Sequence, residues 1–146
     1  MTFLLSINGS EFREQCFRQR KEFNANHTIE EIKNNKQPIF YDYELDDDYP
    51  EIKPGDVAYL IDSKTQHPYE KCVVVENENK KLKLVSLIFI SNSTCIIPLD
   101  NQVHIAPDNL VDSLRKHTDR LYHNGYALHA HRWLKEHDVN YPPLRA

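Results

Sequence analysis

Glycine is scarce in this 146-residue chain, which contains three glycines and no glycine-rich loop. Loops that cradle phosphate groups depend on closely spaced glycines, and neither a P-loop nor a dinucleotide-binding fingerprint is present. The G-x-S-x-G and HExxH motifs are also missing from the sequence. These absences predict a protein that is not an enzyme and that holds no cofactor.

Cysteine is also sparse. Cys16, Cys72 and Cys95 are odd in number and none belongs to a C-x-x-C pair, so free thiols in a reducing compartment are the simplest interpretation. Their expected places on a helix or in strands favour buried structural cysteines over nucleophiles. The chain also lacks a signal peptide and an apolar run of membrane-spanning length. We therefore predict an intracellular protein, nuclear or cytoplasmic, without membrane contact.

The chain also lacks an excess of basic residues, since its formal net charge is −4. Most of the imbalance lies in residues 41–51, which contain six acidic side chains and no Lys or Arg. Proteins that bind nucleic acids usually present a basic field, so nucleic-acid binding is disfavoured. It stays open as an alternative that depends on one shared basic face of four lysines: Lys71, Lys80, Lys81 and Lys83.

Histidine, in contrast, is concentrated near the C-terminus, where six of the eight histidines lie. Zinc-binding helices place histidines three or four residues apart, so that both rings reach one ion. The gaps here are 13, 6, 6, 2 and 6 residues, and the sequence therefore predicts no metal site. A pH-responsive patch is the alternative to surface or core-edge positions. The six residues are His104, His117, His123, His129, His131 and His137.

Strand signals are densest between Glu51 and Pro107. The Pro54-Gly55-Asp56 sequence is typical of a turn before a strand, and residues 77–80 are typical of a hairpin tip. Short strands without intervening helices predict a small antiparallel barrel over residues 53–107. The third strand becomes apolar on both faces, which predicts that a flanking helix covers it. The five predicted strands are 57–62, 69–76, 81–90, 95–97 and 103–105.

Helix signals flank this barrel on both sides. Residues 1–40 are predicted to form an N-terminal helical element after a short apolar stretch, with Thr28 and Glu31 as a capping box for its second helix. An acidic linker, residues 41–52, follows. In residues 108–146, a helix start at Pro107-Asp108 and a break at Asn124-Gly125 predict a helical hairpin with an extended tail. The fold class is therefore α+β, in one compact unit.

Aromatic residues at the ends of the predicted strands are candidates for recognition. Tyr59, Tyr69 and Phe89 lie at or beside strand ends, and an acidic segment rich in tyrosine precedes them. Aromatic rings with acidic edges suit a methylated Lys or Arg side chain, because the ring faces attract the cation. Packing in the core or at the barrel rim is the alternative role for these rings.

These motifs resemble a Tudor-type domain of the SH3-like barrel superfamily. PGDVAYLID is similar to the family's opening Gly-Asp and first strand, and PYEKCVVVE resembles its second strand, with Tyr69 at the Tyr position. LIFISNSTCIIPL resembles its turn and the apolar strand after it, which ends in Pro-Leu. The resemblance covers Lys53 to Pro107 and implies a five-stranded SH3-like barrel, chromatin- or RNP-associated. Because several cage positions carry other residues here, it implies protein docking more than the recognition of methylated side chains.

The sequence therefore predicts a non-enzymatic interaction module that docks a basic segment of a partner protein, a modified Lys or Arg side chain included. The alternatives are nucleic-acid binding and a structural subunit that uses the C-terminal helices, with Trp133 exposed. Four residues are predicted to line the partner groove: Tyr59, Tyr69, Phe89 and Asn92. Three more are predicted to steer the partner by charge: Asp46, Asp47 and Asp48.

Overall fold

The computed structural model describes residues 1–34, 37–90, 93–118 and 125–142. These residues form one sheet and four helices. Numbered along the chain, the elements are β1 (Thr2–Ile7), α1 (Gly9–Ala25), α2 (Ile29–Lys33), β2 (Phe40–Glu44), β3 (Val57–Asp62), β4 (Pro68–Glu78), β5 (Lys81–Phe89), β6 (Val103–Ile105), α3 (Asp108–Thr118) and α4 (Gly125–Glu136).

The six strands form a mixed sheet in the order β2-β5-β4-β3-β1-β6. The β1–β3 pair is parallel, with Thr2 opposite Val57 and Ile7 opposite Asp62, and the other neighbours are antiparallel. Among the described residues, the outer strands β2 and β6 do not pair with each other, so the sheet is not closed.

The prediction of a five-stranded antiparallel SH3-like barrel is therefore wrong. Closure of residues 53–107 on themselves would need the free edges of β3 and β5, and other strands already occupy both. The apolar N-terminal strand β1 pairs with β3, and β2, from the predicted acidic linker, pairs with β5. Residues 95–97, predicted as the fourth strand, are not a strand in this structure.

Several local predictions are confirmed. Strand β3 has the predicted bounds, and the turn before it has Gly55 at φ 96°, where a side chain would be strained. At the hairpin tip, Asn79 and Lys80 both have positive φ. Thr28 is the N-cap of α2, as predicted, because the Glu31 amide donates to Thr28 Oγ1 at 3.2 Å; the Glu31 side chain accepts from the Thr28 hydroxyl at 3.1 Å, whereas in a full capping box it would accept from the Thr28 amide.

The face of the sheet beneath α1 carries the larger apolar core. Buried residues at alternate positions of β1 to β5 point to this face, because successive strand residues alternate sides. Helix α1 adds Phe12, whose ring centroid lies 4.8 Å from that of Tyr41, and Cys16. The strand residues of this core include Phe3, Leu5, Ile7, Tyr41, Tyr43, Ala58, Leu60, Cys72, Val74, Leu82 and Leu84.

Helices α3 and α4 cover different parts of the opposite face. Leu114 of α3 packs in a cluster with Leu4 and Tyr59, above β1 and β3. Ala130 and Leu134 of α4 pack in a separate cluster above β4 and β5. A helix therefore covers the two-sided apolar strand β5, as its sequence predicted. The connection of the predicted helical hairpin, at 119–124, lies outside the described residues.

Candidate functional site

The structure separates the aromatic residues that were predicted to line one groove. Tyr59 is fully buried in the cluster beneath α3, with Lys71 Nζ 5.5 Å from its ring centroid. Tyr69 and Phe89 are half-buried and pack against the core beneath α1, on the other face of the sheet. Asn92 lies outside the described residues. Tyr59 therefore shares no surface groove with Tyr69 and Phe89.

The three predicted steering residues, Asp46, Asp47 and Asp48, are all exposed in the loop after β2. They lie at the hairpin end of the sheet, because the last residue of β2, Glu44, pairs with Lys81 at the start of β5. Phe89 is at the other end of β5. The acidic residues and the half-buried rings are thus at opposite ends of the sheet.

Two acidic residues of β2 extend this exposed acidic surface. Asp42 and Glu44 are exposed and alternate with buried Tyr41 and Tyr43, so residues 41–44 form part of a half-buried strand where a linker was predicted. Across β5, Asp42 lies opposite Lys83, and Glu44 lies opposite a second lysine. We use the term acidic edge for five exposed residues along β2 and the following loop: Asp42, Glu44, Asp46, Asp47 and Asp48.

A cleft of about 600 Å³ continues the acidic edge at the hairpin end of β4. Its lining includes Asp48 and Tyr49 from the loop after β2 and Glu76 and Glu78 from the end of β4. Asn77 fixes the loop against the hairpin, because its Nδ2 donates to the carbonyl oxygens of Tyr49 and of Ile52 at 2.9 and 2.8 Å. Two lysines, Lys53 and Lys80, also line the cleft.

The outer backbone edge of β2 is bound by glutamine side chains of α1. Gln15 Oε1 accepts from the Asp42 amide at 3.0 Å, and its Nε2 donates to the Asp42 carbonyl at 3.2 Å. Gln19 Oε1 accepts from the Phe40 amide at 3.0 Å, and its Nε2 donates to the Phe40 carbonyl. A carboxamide offers the same donor and acceptor as a peptide group, so each glutamine stands in for a residue of a neighbouring strand.

A third glutamine continues this pattern beyond the end of β2. Gln102 Oε1 accepts from the Asp46 amide at 2.8 Å, and its Nε2 donates to the Glu44 carbonyl at 2.7 Å. Since Gln102 immediately precedes β6, the two outer strands approach each other at this end of the sheet. We call Gln15, Gln19 and Gln102 the glutamine ladder. On the sequence they resemble ordinary solvent-facing residues, and no local signal marks their role.

A buried carboxyl group, that of Glu70, lies in the core toward which the Tyr41 side chain of β2 points. Glu70 is fully buried in the core beneath α1, where Tyr41 Oη donates to its Oε1 at 2.6 Å and Cys72 Sγ lies 4.0 Å from its Oε2. Loss of hydration raises the pKa of Glu70 to about 7, although the Tyr41 hydrogen bond opposes this shift. The Ser86 hydroxyl also favours the ionised form but does not reach hydrogen-bonding geometry.

The thiols near Glu70 are poorly suited to nucleophilic chemistry. Burial, and then the nearby Glu70 carboxylate, raise the pKa of Cys72 well above its ordinary value. Burial also raises the pKa of Cys16, and the partly opposing charge of Arg20 does not cancel this effect. Reactive cysteines require the thiolate, which this environment disfavours. All three cysteines of the chain are free.

The four lysines of the nucleic-acid alternative do not share one face. Lys71 is buried, with 3% of its surface exposed. Lys80 and Lys81 are exposed at the hairpin, whereas Lys83 is half-buried, with its Nζ 4.9 Å from the Phe40 ring centroid. These lysines therefore do not form the single basic face on which that alternative depends.

The C-terminal aromatic and histidine residues are packed in several separate places. Trp133 is half-buried and lies edge-on to Phe40, with ring centroids 5.0 Å apart, and it stacks on His137. His104 Nε2 lies 2.9 Å from Asp100 Oδ1.

Within the part of the chain that the structure describes, no group of three or more His, Cys, Asp or Glu side chains could hold a metal ion. None of the described helices is long and apolar enough to cross a bilayer.

Comparisons with family models, with curated proteins and with solved structures found no match to this chain. They therefore leave the resemblance to Tudor-type domains as a prediction. The acidic edge and its adjoining cleft are the candidate site that the described residues form, and their chemistry is that of an exposed anionic surface beside a strand edge.

Proposed function

We propose that this protein is a non-enzymatic interaction module that docks a basic segment of a partner protein on the acidic edge. The observation that carries this proposal is the continuous run of exposed carboxylates from β2 into the cleft. Asp42 and Glu44 lie on the strand, three aspartates follow in the loop, and Glu76 and Glu78 line the same cleft as Asp48.

Electrostatics favours such a partner more through its rate of approach and its selectivity than through raw affinity. Exposed carboxylates raise the local concentration of basic chains and repel acidic ones. The lysines opposite Asp42 and Glu44 on β5 offset part of this charge, and Lys53 and Lys80 line the cleft with Asp48, whereas Asp46 and Asp47 belong to neither group. We therefore expect the loop to contribute most of the steering.

The test uses a fluorescent peptide of alternating lysine and valine and its glutamate–valine counterpart. The lysine peptide should bind, binding should weaken as salt screens the charges, and the glutamate peptide should not bind. Replacement of Asp46, Asp47 and Asp48 by Asn should weaken binding of the lysine peptide. Fluorescence anisotropy at low and high ionic strength measures these effects.

A matched control removes the same number of charges elsewhere. Glu14, Glu30 and Glu136 are exposed residues on α1, α2 and α4, outside the acidic edge. Their replacement by Gln should leave binding of the lysine peptide much less affected than the loop variant does. Equal loss of binding in both variants would mean that only net charge matters, and the proposed site would be wrong.

A further inference from the structure

We propose that the basic segment binds by strand addition to the outer edge of β2, at the positions that α1 now covers with Gln15 and Gln19. This inference rests on the proposed function and specifies the form of its partner. The partner is an extended segment in which basic residues alternate with apolar ones.

The hydrogen-bonding pattern of β2 carries this inference. The amide and carbonyl groups of Phe40 and Asp42 point away from β5 and are bound by two side-chain carboxamides. Residues two apart on one strand are the positions at which a neighbouring strand pairs. Gln15 and Gln19 are four residues apart, about 6 Å along a helix, and thus match the spacing of about 6.7 Å between these strand positions.

Few side chains of helix α1 are fully buried. Of its 17 residues, the buried ones are Gly9, Phe12 and Cys16, and outside this set Arg13 Nε donates to Tyr69 Oη at 3.3 Å. The side-chain amides of Gln15 and Gln19 give up conformational freedom to bind β2, and an incoming segment would give up backbone freedom in the same way. An incoming strand could therefore replace the helix at Phe40 and Asp42 with hydrogen bonds of the same number.

The side chains beside this edge define the chemistry of the partner. Asp42 and Glu44 are exposed on one face of β2, so basic residues of an added strand would lie beside them. Tyr41 and Tyr43 are buried on the other face, where the intervening residues of the added strand would take the place of the α1 side chains. Charge complementarity thus selects a strand that alternates basic and apolar residues.

An opening is already present at the N-terminal end of β2. A groove of about 610 Å³ is lined by residues near the end of α1 and by residues 37–40, and its apolar lining includes Phe23, Ile32, Ile39 and Phe40. Gln19 also lines it, next to the Phe40 backbone. The described strand at the other side of the sheet, β6, is three residues long and offers no comparable row of carboxylates.

The experiment compares the alternating lysine–valine peptide with two N-methylated forms. One form carries N-methyl groups at the amides that would face β2, and the other carries them at the amides that would face solvent. Strand addition predicts a loss of about tenfold or more in affinity for the first form, since two main-chain hydrogen bonds are lost, and little change for the second. Both forms keep the charge of the parent peptide.

A variant of the protein tests the covering role of the glutamines. Gln15→Ala with Gln19→Ala removes the competing carboxamides while alanine supports the helix, so affinity for the lysine–valine peptide should rise severalfold. The control, Glu14→Ala with Arg18→Ala, changes two exposed residues of the same helix without changing net charge. Circular dichroism of both variants establishes that they are folded.

The outcomes separate the two proposals. If both N-methylated forms bind as well as the parent peptide, strand addition is wrong and the acidic docking surface stands. If the glutamine variant binds no more tightly than its control, the covering role of α1 is wrong. If no lysine–valine peptide binds the folded protein, the proposed function fails and strand addition fails with it.

Discussion

The acidic edge and the Glu70 pocket place the same chemical group in opposite environments. The carboxylates of the acidic edge are exposed, whereas that of Glu70 is fully buried and bound by Tyr41. Adjacent residues of β2 serve both regions, because Tyr41 points inward to Glu70 and Asp42 points outward. Solvation therefore decides what each carboxyl group does. The exposed carboxylates can attract a partner, whereas the buried Glu70 couples folding to pH.

The largest expected effect concerns the buried carboxyl group. Because the pKa of Glu70 rises from its ordinary value of 4.5 to about 7 on folding, its protonated form is favoured in the native state. The resulting stabilisation is complete below pH 4.5 and is lost as the pH rises through about 7, a change of about 3 kcal/mol. Glu70→Gln should remove this loss and be the more stable protein at pH 8.

Urea unfolding of the wild type and of Glu70→Gln between pH 5 and pH 8 measures this difference. Asp47→Asn serves as the control from the acidic edge, and its stability should follow the wild-type pH profile. A Glu70→Gln protein with the same pH dependence as the wild type would mean that the environments of the two carboxyl groups do not differ as described.

The next largest effect on stability should come from loss of the hydrogen bond between Tyr41 of β2 and Glu70. Tyr41→Phe removes the donor to a fully buried carboxyl group, which should cost about 1–3 kcal/mol of unfolding free energy. The Tyr41 hydrogen bond also lowers the pKa of Glu70, so its removal should raise that pKa further. A double-mutant cycle with Glu70→Gln measures the coupling, and additive effects would argue against this bond.

A smaller effect is expected at the exposed side of β2. Gln15→Ala with Gln19→Ala removes four hydrogen bonds, but water can replace them and alanine favours the helix, so we expect a loss of about 1–2 kcal/mol. The Phe40 and Asp42 amides should exchange with solvent faster, as measured by hydrogen exchange. Unchanged exchange at both amides would contradict the described pairing with α1.

The smallest effect on stability should come from the acidic loop itself. Replacement of Asp46, Asp47 and Asp48 by Asn should change the free energy of unfolding by less than about 0.5 kcal/mol. Exposed charges interact only weakly with other charged groups of the same protein and so contribute little to its stability. The same variant should weaken peptide binding. A large loss of stability, measured by urea unfolding, would mean that the loop has a structural role and is not mainly a docking surface.

Local features of the fold could be read from the sequence, and long-range ones could not. The bounds of β3, the hairpin tip and the N-cap at Thr28 follow from turn residues and short spacing. The parallel pairing of β1 with β3 joins residues more than fifty positions apart, and nothing local specifies it. Without that pairing, the central strands read as a closed barrel.

The candidate site was predictable to a similar extent. The acidic segment marks exposed carboxylates in the sequence, but residues 41–52 were predicted to be a linker, and the structure shows that Asp42 and Glu44 lie on a strand. Tyr59 could not be placed, because β3 is a central strand with both faces covered, so its apolar pattern does not tell surface from core. Gln15 and Gln19 were missed because a polar residue on a helix normally indicates solvent.

The central claim, that β2 receives a basic strand, is tested most directly by amide NMR of the isotopically labelled protein during titration with the lysine–valine peptide. We expect the Phe40 and Asp42 amide resonances to shift and gain protection from exchange, and the Gln15 and Gln19 side-chain amide resonances to move as their hydrogen bonds to β2 are lost. Saturable binding with these four groups unchanged would contradict it.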